Sequence, residues 1–386
     1  MANNNKHTGP NVPALRFPEF SGEWKKRGLS EYLQFKNGLN PDAKRFGDGI
    51  KFISVMDILN NAFISYDLIR ASVSATEKEI EDFAVENGDV LFQRSSETLE
   101  DVGRSNIYID TRKCVFGGFV IRGKKTGEYE PYFMKYRLDS PNARKSIIVK
   151  GAGAQHFNIS QDGLSQVELC FPELAEQTKI GSLLKTIDEC IDTQSKIIEE
   201  QETLLKSLRH RIFSTIQAEN QSTFGDALSY EQPTKYLVSD TDYTDDCNQI
   251  PVLTANKAFI LGYTMENSGI YDKGPCIILD DFTLDCKYVD FRFKVKSSAI
   301  KILRAKTEID LRYIFEYIRF LELNTTEHKR HYIAEIEPMS ILLPSKEEAD
   351  RIARLFASLD ERLEAARNEL KILESQKTYM LQKMFI

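Results

Sequence analysis

The sequence predicts an α+β chain built twice, a globular unit followed by a long helix, with the two helices pairing as an antiparallel coiled coil. Three observations point there. Residues 171–214 and 343–386 align without a gap, Pro172 on Pro344, Asp188 on Asp360 and Phe213 on Phe385, each displaced by 172 positions (344−172); a constant offset marks an internal repeat. Both stretches place apolar residues at alternating steps of three and four, the seam of a coiled coil. The regions before them share short β-branched or aromatic runs set off by glycine turns.

Taken in order, residues 1–20 carry Pro10, Pro13 and Pro18 with few apolar side chains, which predicts an extended, partly mobile arm. A globular unit over 21–170 follows from Trp24 onward. Strands are expected at Lys51–Val55, Asp89–Gln93, Ile107–Ile109, Cys114–Ile121 and Val167–Phe171, and helices at Thr76–Val85 and Tyr129–Leu138. Over 171–217 the helix seam runs through Ile187, Ile191, Ile198, Leu205, Leu208 and Ile212, with Gln194 and Gln201 in its two remaining positions. Residues 218–223 read as a polar joint, and 218–342 as a second globular unit. Its segment Gly274–Phe282 matches Gly88–Ser96, and His331–Pro344 matches His156–Pro172 in delivering the chain to a helix. Over 343–386 the second seam comprises Leu359, Leu363, Ala366, Leu370, Leu373, Met380 and Met384, with Lys377 as a polar insertion. Neither narrow stripe can be buried alone, so each is expected to cover the other; polar seam residues specify register at some cost in stability.

The 386 residues suffice for two or three domains, and 41% hydrophobic with 28% charged residues is ordinary for a soluble protein. No apolar run reaches membrane-spanning length and the first twenty residues lack a signal-peptide core, which predicts a cytoplasmic protein without a membrane partner. Six cysteines without a CxxC pair predict free thiols. His328 and His331 lie in the basic run HKRH, which reads as a solvated face rather than a metal site.

A formal net charge of −7 argues against nucleic acid, but its distribution reverses that inference. From Arg104 to Lys150, 11 lysines and arginines stand against 4 acids, a local +7; from Lys287 to Arg330, 11 stand against 6, a local +5. Glu173–Glu202 has 8 acids and 3 bases, a local −5. A polyanion responds to the local field, because salt screens charges beyond roughly 10 Å. Lys113, Arg122, Lys124 and Lys125 in the first unit, with Lys294, Lys296, Lys329 and Arg330 in the second, are therefore candidates for phosphate. Gln93, Arg94, Gln155, Asn158, Asn256 and Lys257 carry groups suited to base edges.

Apparent catalytic motifs fail on inspection. Gly118–Lys125 matches GxxxxGK but has Lys125 where a phosphate loop needs a hydroxyl for magnesium, and a hairpin turn accounts for it better. Gly151–His156 lacks the third glycine of a dinucleotide fingerprint. No nucleophilic constellation stands out, so no catalysis and no cofactor or metal is expected in this chain.

The run from Pro172 to Ile180, PELAEQTKI, followed by Leu183, Leu184, Asp188 and Ile191, resembles the opening of the conserved helix in specificity subunits of type I restriction–modification enzymes. The plan of the whole chain resembles that family too: target-recognition domain, spacer helix, target-recognition domain, spacer helix. The second helix departs from the motif with Ala349 where the first has Gln177, while Pro344, Glu348, Ile352, Leu355 and Asp360 keep it. The resemblance implies a non-catalytic subunit that reads a split, asymmetric sequence in double-stranded DNA. It further implies docking of two DNA adenine methyltransferase subunits and assembly with ATP-dependent restriction subunits, with S-adenosylmethionine, ATP and magnesium on those partners. A helix of about 34 residues is about 50 Å long, more than one duplex turn of roughly 34–36 Å, which would suit a ruler between two half-sites. Two other classes stay open on sequence alone. A coiled-coil scaffold binding proteins would show duplex affinity insensitive to salt, and a nuclease would cut DNA by itself with magnesium.

Overall fold

The structure is a computed structural model that describes residues 11–153, 156–217, 220–254, 259–306, 308–327 and 329–386. It divides into two compact units, one running up to Ser195 and completed by Glu369–Ile386, the other Lys196–Asn368. Each unit thus holds one half of each long helix. No described helix is long and apolar enough to cross a membrane.

The first unit contains β1 (Lys25–Gly28), β2 (Leu33–Asn37), β3 (Phe46–Ile53), α1 (Val55–Asn60), β4 (Ser72–Val73), α2 (Glu77–Asp82), β5 (Val90–Gln93), β6 (Ser95–Ser96), β7 (Ser105–Ile107), β8 (Val115–Phe116) and β9 (Val120–Lys125). It continues with α3 (Pro131–Asp139), α4 (Pro141–Ile148), β10 (Phe157–Asn158), α5 (Gln161–Ser165), β11 (Glu168–Phe171) and the start of α6 (Leu174–Thr215). The second unit takes in β12 (Asn220–Thr223), α7 (Phe224–Ala227), β13 (Leu228–Glu231), β14 (Ile250–Leu253), β15 (Ile260–Thr264), β16 (Cys276–Asp280) and β17 (Cys286–Val289). After these come β18 (Lys294–Val295), β19 (Ile300–Ala305), α8 (Leu311–Phe320), β20 (Ser340–Leu343) and the start of α9 (Lys346–Lys383).

The duplication extends to sheet topology. The order β2-β9-β5-β7 recurs as β13-β19-β16-β17, β4-β3-β8 as β15-β14-β18, and β1-β11 as β12-β20. Even the parallel pairs correspond, β3 with β8 and β14 with β18. The expected polar joint at 218–223 is corrected at its end: Asn220–Thr223 is a strand whose backbone pairs with Ser340–Leu343, as β1 pairs with β11. The expected strand Cys114–Ile121 is likewise two strands, broken by a turn at Gly117, Gly118 and Phe119 in which Val120 N–H donates to Gly117 O at 2.8 Å.

Heptad spacing decides which faces of the helices are covered. Every predicted seam residue of α6 and α9 is buried or half-buried, and most residues between them are exposed. In the first unit Ile180, Leu184, Ile187 and Ile191 of α6 share a core with Met380, Leu381 and Met384 from the other helix. Lys377 pairs with Asp188 at 2.6 Å, while Phe385 lies near Trp24, which bonds Glu176 at the start of α6, so the helices run antiparallel there. In the second unit Leu205, Leu208 and Ile212 pack with Phe356, Leu359 and Leu363, and Glu202 pairs with Arg367 while Phe213 stacks on Phe356, again antiparallel.

The motif that opens α6 acts as a clasp. Glu176 accepts from Arg16 Nε and Nη2, both at 2.7 Å, and from Trp24 Nε1 at 3.3 Å. Gln177 Oε1 accepts from Glu130 N at 3.1 Å, at the entry to α3, and its Nε2 donates to Pro172 O. These contacts correct the expectation of a mobile arm for its described part: Arg16 is held by Glu176, Phe17 packs on the core, and Leu15 N donates to Lys383 O.

Candidate nucleic-acid interface

Strand β5 ends at the rim of the first unit, and the backbone that leaves it builds a polar cleft of about 570 Å³. Asn37, Arg94, Lys150, Asn158, Gln161 and Asp162 are among its lining residues. Arg94 is pinned from three directions. Its N–H donates to Phe119 O at 2.9 Å, its carbonyl accepts from Ile159 N at 2.9 Å, and its Nη1 donates to Gly118 O at 3.3 Å. Asn158 sits across the two-residue ladder between β6 and β10 and accepts from Ser95 Oγ. A half-buried guanidinium with donors to spare, beside an exposed amide, matches the chemistry that reads a guanine or adenine edge.

Of the sequence candidates, this cleft therefore brings Arg94 and Asn158 together. Gln93 lies one residue deeper, buried, with Nε2 donating to Ser95 O at 2.9 Å, so it supports the turn and is corrected as a base reader. Lys113 is exposed. Lys124 and Lys125 are both half-buried, Lys124 with its ammonium 3.7 Å from Glu86 and Lys125 spending its ammonium on Tyr129 O at 2.9 Å. Gln155, Asn256 and Lys257 lie outside the described residues, as does His328.

Two phosphate candidates are corrected outright. Arg122 is buried, donates to Ala84 O and lies 5.4 Å from the centre of the Phe116 ring; burial pulls its guanidinium below the usual arginine range, with Asp89 opposing. Lys294 is 2% exposed and bound to Glu266 at 2.9 Å and to Ser268 O at 2.7 Å. Neither can reach a phosphate without dismantling its own surroundings. Lys294→Met is accordingly expected to lower the stability of the second unit by about 1–3 kcal/mol, seen in denaturant unfolding, and to leave the salt slope of duplex binding unchanged; a shallower slope would return Lys294 to the interface. Lys329 is exposed but flanked by Glu327 at 2.6 Å and Glu335 at 2.9 Å, which cancel its local field, while Lys296 and Arg330 are exposed. The basic run ending at His331 is not wholly a solvated face either: His331 is buried, and Glu335, 2.8 Å from Nδ1, holds its imidazole above the usual pKa.

The second unit fills the equivalent position with opposite chemistry. Sheet register puts Val90 and Ile277 in corresponding places, one residue off the glycine match read from the sequence, so Arg94 corresponds to Asp281. The hydrogen bond from Arg94 N to Phe119 O recurs as Asp281 N to Ala299 O. Asp281 is buried, paired with Lys301 at 3.4 Å, and accepts from His331 N and Tyr332 N. A cation at the rim of one unit is thus a neutralised carboxylate in the other.

Among the described residues no group of three or more His, Cys, Asp or Glu could hold a metal ion. Burial pushes the Cys114 and Cys276 thiols up to about 12, so both stay protonated at neutral pH.

Two α+β units of one topology, each leading into a long helix and carrying different side chains at a shared rim position, define a duplicated α+β architecture. Residues 21–203, just under half of the chain, match the type I restriction modification DNA specificity domain. The specificity subunit of the type I restriction enzymes EcoR124I/EcoR124II of Escherichia coli is 44% identical over 133 residues, 33% of this chain and 33% of that protein. The EcoKI specificity subunit of Escherichia coli strain K12 is 24% identical over 211 residues, 51% of this chain and 45% of that protein. The matches therefore span less than half the length of these relatives. Among solved structures, the S subunit of a type I restriction–modification system from M. genitalium superposes with a TM-score of 0.67 at 15% identity, covering 97% of this chain and 99% of that one. A structure concerned with complex assembly and conformational transition of the type I system gives 0.53 at 13% identity, covering 93% and 96%. At such identities the structural likeness speaks for the fold.

Proposed function

We propose that this chain is the non-catalytic DNA sequence-recognition subunit of a type I restriction–modification complex, reading a bipartite, asymmetric target in double-stranded DNA. One observation carries the reading: a single frame, used twice, presents Arg94 beside an exposed amide in the first unit and the buried pair Asp281–Lys301 at the same position in the second. Identical readers would favour a palindrome; dissimilar ones suit two different half-sites. The match of residues 21–203 to the specificity domain, and the likeness to curated specificity subunits, support the same assignment. The chain docks two adenine methyltransferase subunits through its long helices, and ATP-dependent restriction subunits complete the complex in the cytoplasm. S-adenosylmethionine, ATP and magnesium belong to those partners.

Mapping methylated adenines in the host genome tests this directly. A two-part motif with a fixed unread gap, lost when this chain is deleted, is the expected result; methylation unchanged by the deletion would refute the assignment. For the site, Arg94→Ala in the assembled complex is expected to lose about 1–3 kcal/mol of discrimination at one base of the first half-site, read by competition with single-base variants. A loss uniform over all sequences would make Arg94 a phosphate contact instead.

A further inference from the structure

The geometry points to Phe119 as an apolar wedge that presses between two base pairs of the first half-site while Arg94 beside it reads an edge. This rests on the DNA-recognition reading above and adds a specificity-determining residue to it. Phe119 is 69% exposed, more than any other phenylalanine among the described residues. Isolated exposed apolar residues are ordinary on protein surfaces, so the weight falls on where this ring stands and how firmly it is held.

The turn that carries it is clamped. A Cβ at Gly117 would come within 2.7 Å of the Phe52 ring, and one at Gly118 within 1.7 Å of Asn40 Oδ1, so backbone and neighbours are in direct contact on both sides. Gly117 N donates to Ile53 O at 3.0 Å, and Leu39 N reaches Phe116 O at 2.9 Å just before the turn. Both Phe119 O and Gly118 O are bonded by Arg94, which lines the polar cleft. The backbone that carries the ring is therefore fixed next to a cation and a set of amides, and an aromatic side chain has only two χ angles to order when it is buried.

Comparison with the second unit shows that the fold does not require an aromatic there. Ala299 occupies the equivalent turn and accepts the equivalent hydrogen bond from Asp281 N. The aromatic and the cation occur together in one unit and are absent together from the other, as expected of residues serving one contact. Apolar side chains inserted at a base step unstack it and kink the duplex, and steps differ in how readily they yield, so the wedge selects sequence without a hydrogen bond.

The test uses the full chain co-assembled with its methyltransferase and a duplex bearing the mapped target. 2-Aminopurine is placed singly at each purine of the first half-site except the methylated adenine, so that base extrusion by the partner does not contribute. Binding should raise emission at one step with the wild-type chain and with Phe119→Trp, and leave it flat with Phe119→Ala. The alanine variant, which copies the residue of the second unit and should fold, is expected to bind the target roughly 5- to 100-fold more weakly. Full-strength binding by wild type with flat emission at every position overturns the wedge while leaving DNA recognition standing, as does equal emission from Phe119→Ala. Failure of the wild-type assembly to bind any duplex overturns both.

Discussion

Replacing Phe385 by alanine should destabilise the first unit by about 3–5 kcal/mol, the usual cost of emptying a buried phenylalanine site. The side chain is 3% exposed, with ring centres 6.2 Å from Trp24 and 5.6 Å from Phe133. It lies two residues beyond the last turn of α9, where Arg137 donates to Ile386 O at 2.6 Å. The segment that follows α9 is therefore part of a core, and the void left by alanine has walls on several sides. The measurement has a built-in reporter, since Trp24 is the one tryptophan of the chain and touches the deleted ring. Denaturant unfolding followed by tryptophan emission should shift its midpoint down for Phe385→Ala. Phe213→Ala makes the matching void in the second unit, among Tyr313, Tyr317, Phe320 and Phe356. It should move the far-ultraviolet circular dichroism transition and leave the Trp24 midpoint nearly in place. Equal displacement of the Trp24 midpoint by both variants would mean that the two units unfold as one.

That pair of phenylalanines was visible in the sequence as one repeat position, and so was the seam, because a heptad pattern records burial directly. The duplicated sheets were visible only in outline, since short strands carry no periodicity long enough to fix register. Site residues were harder for a definable reason. Arg122 and Lys124 lie two apart on one face of β9, and charge counting treats them alike. Arg122 is flanked by both β2 and β5, while Lys124 lies past the last paired residue of β5 and has only β2 beside it. Position along the strand, not composition, separates a buried cation from a half-buried one. Phe119 was hidden for the opposite reason: it sits inside an apolar run that read as a continuous strand, and only the adjacent pair Gly117 and Gly118 hinted at the turn that exposes it.

The second large effect is expected at Glu316, where burial and charge compound each other. This carboxylate is fully buried in α8 and faces three guanidiniums: Arg209 at 2.9 Å, Arg312 at 3.2 Å and Arg319 at 3.6 Å. Asp360 of α9 serves Arg312 and Arg319 as well, but among the described residues Arg209, itself 6% exposed, forms an ion pair with Glu316 alone, and its Nη2 has no hydrogen-bond partner. Glu316→Ala therefore strands a buried cation, and a loss of about 3–5 kcal/mol follows. The first unit solves the same packing problem with less charge: its helix aspartate, Asp188, accepts from Tyr136 Oη at 2.7 Å and pairs with Lys377, and its counterpart of Arg209 is Leu381. That comparison yields an asymmetry. Arg209→Leu keeps Glu316 paired with Arg312 and Arg319 and supplies the residue the first unit uses, so it should cost well under half of what Glu316→Ala costs. Circular dichroism unfolding of the two variants decides the matter. Equal losses would mean that side-chain volume, rather than an uncompensated guanidinium, sets the stability of this cluster, because alanine at 316 and leucine at 209 differ far more in the charge they leave behind than in the contacts they remove.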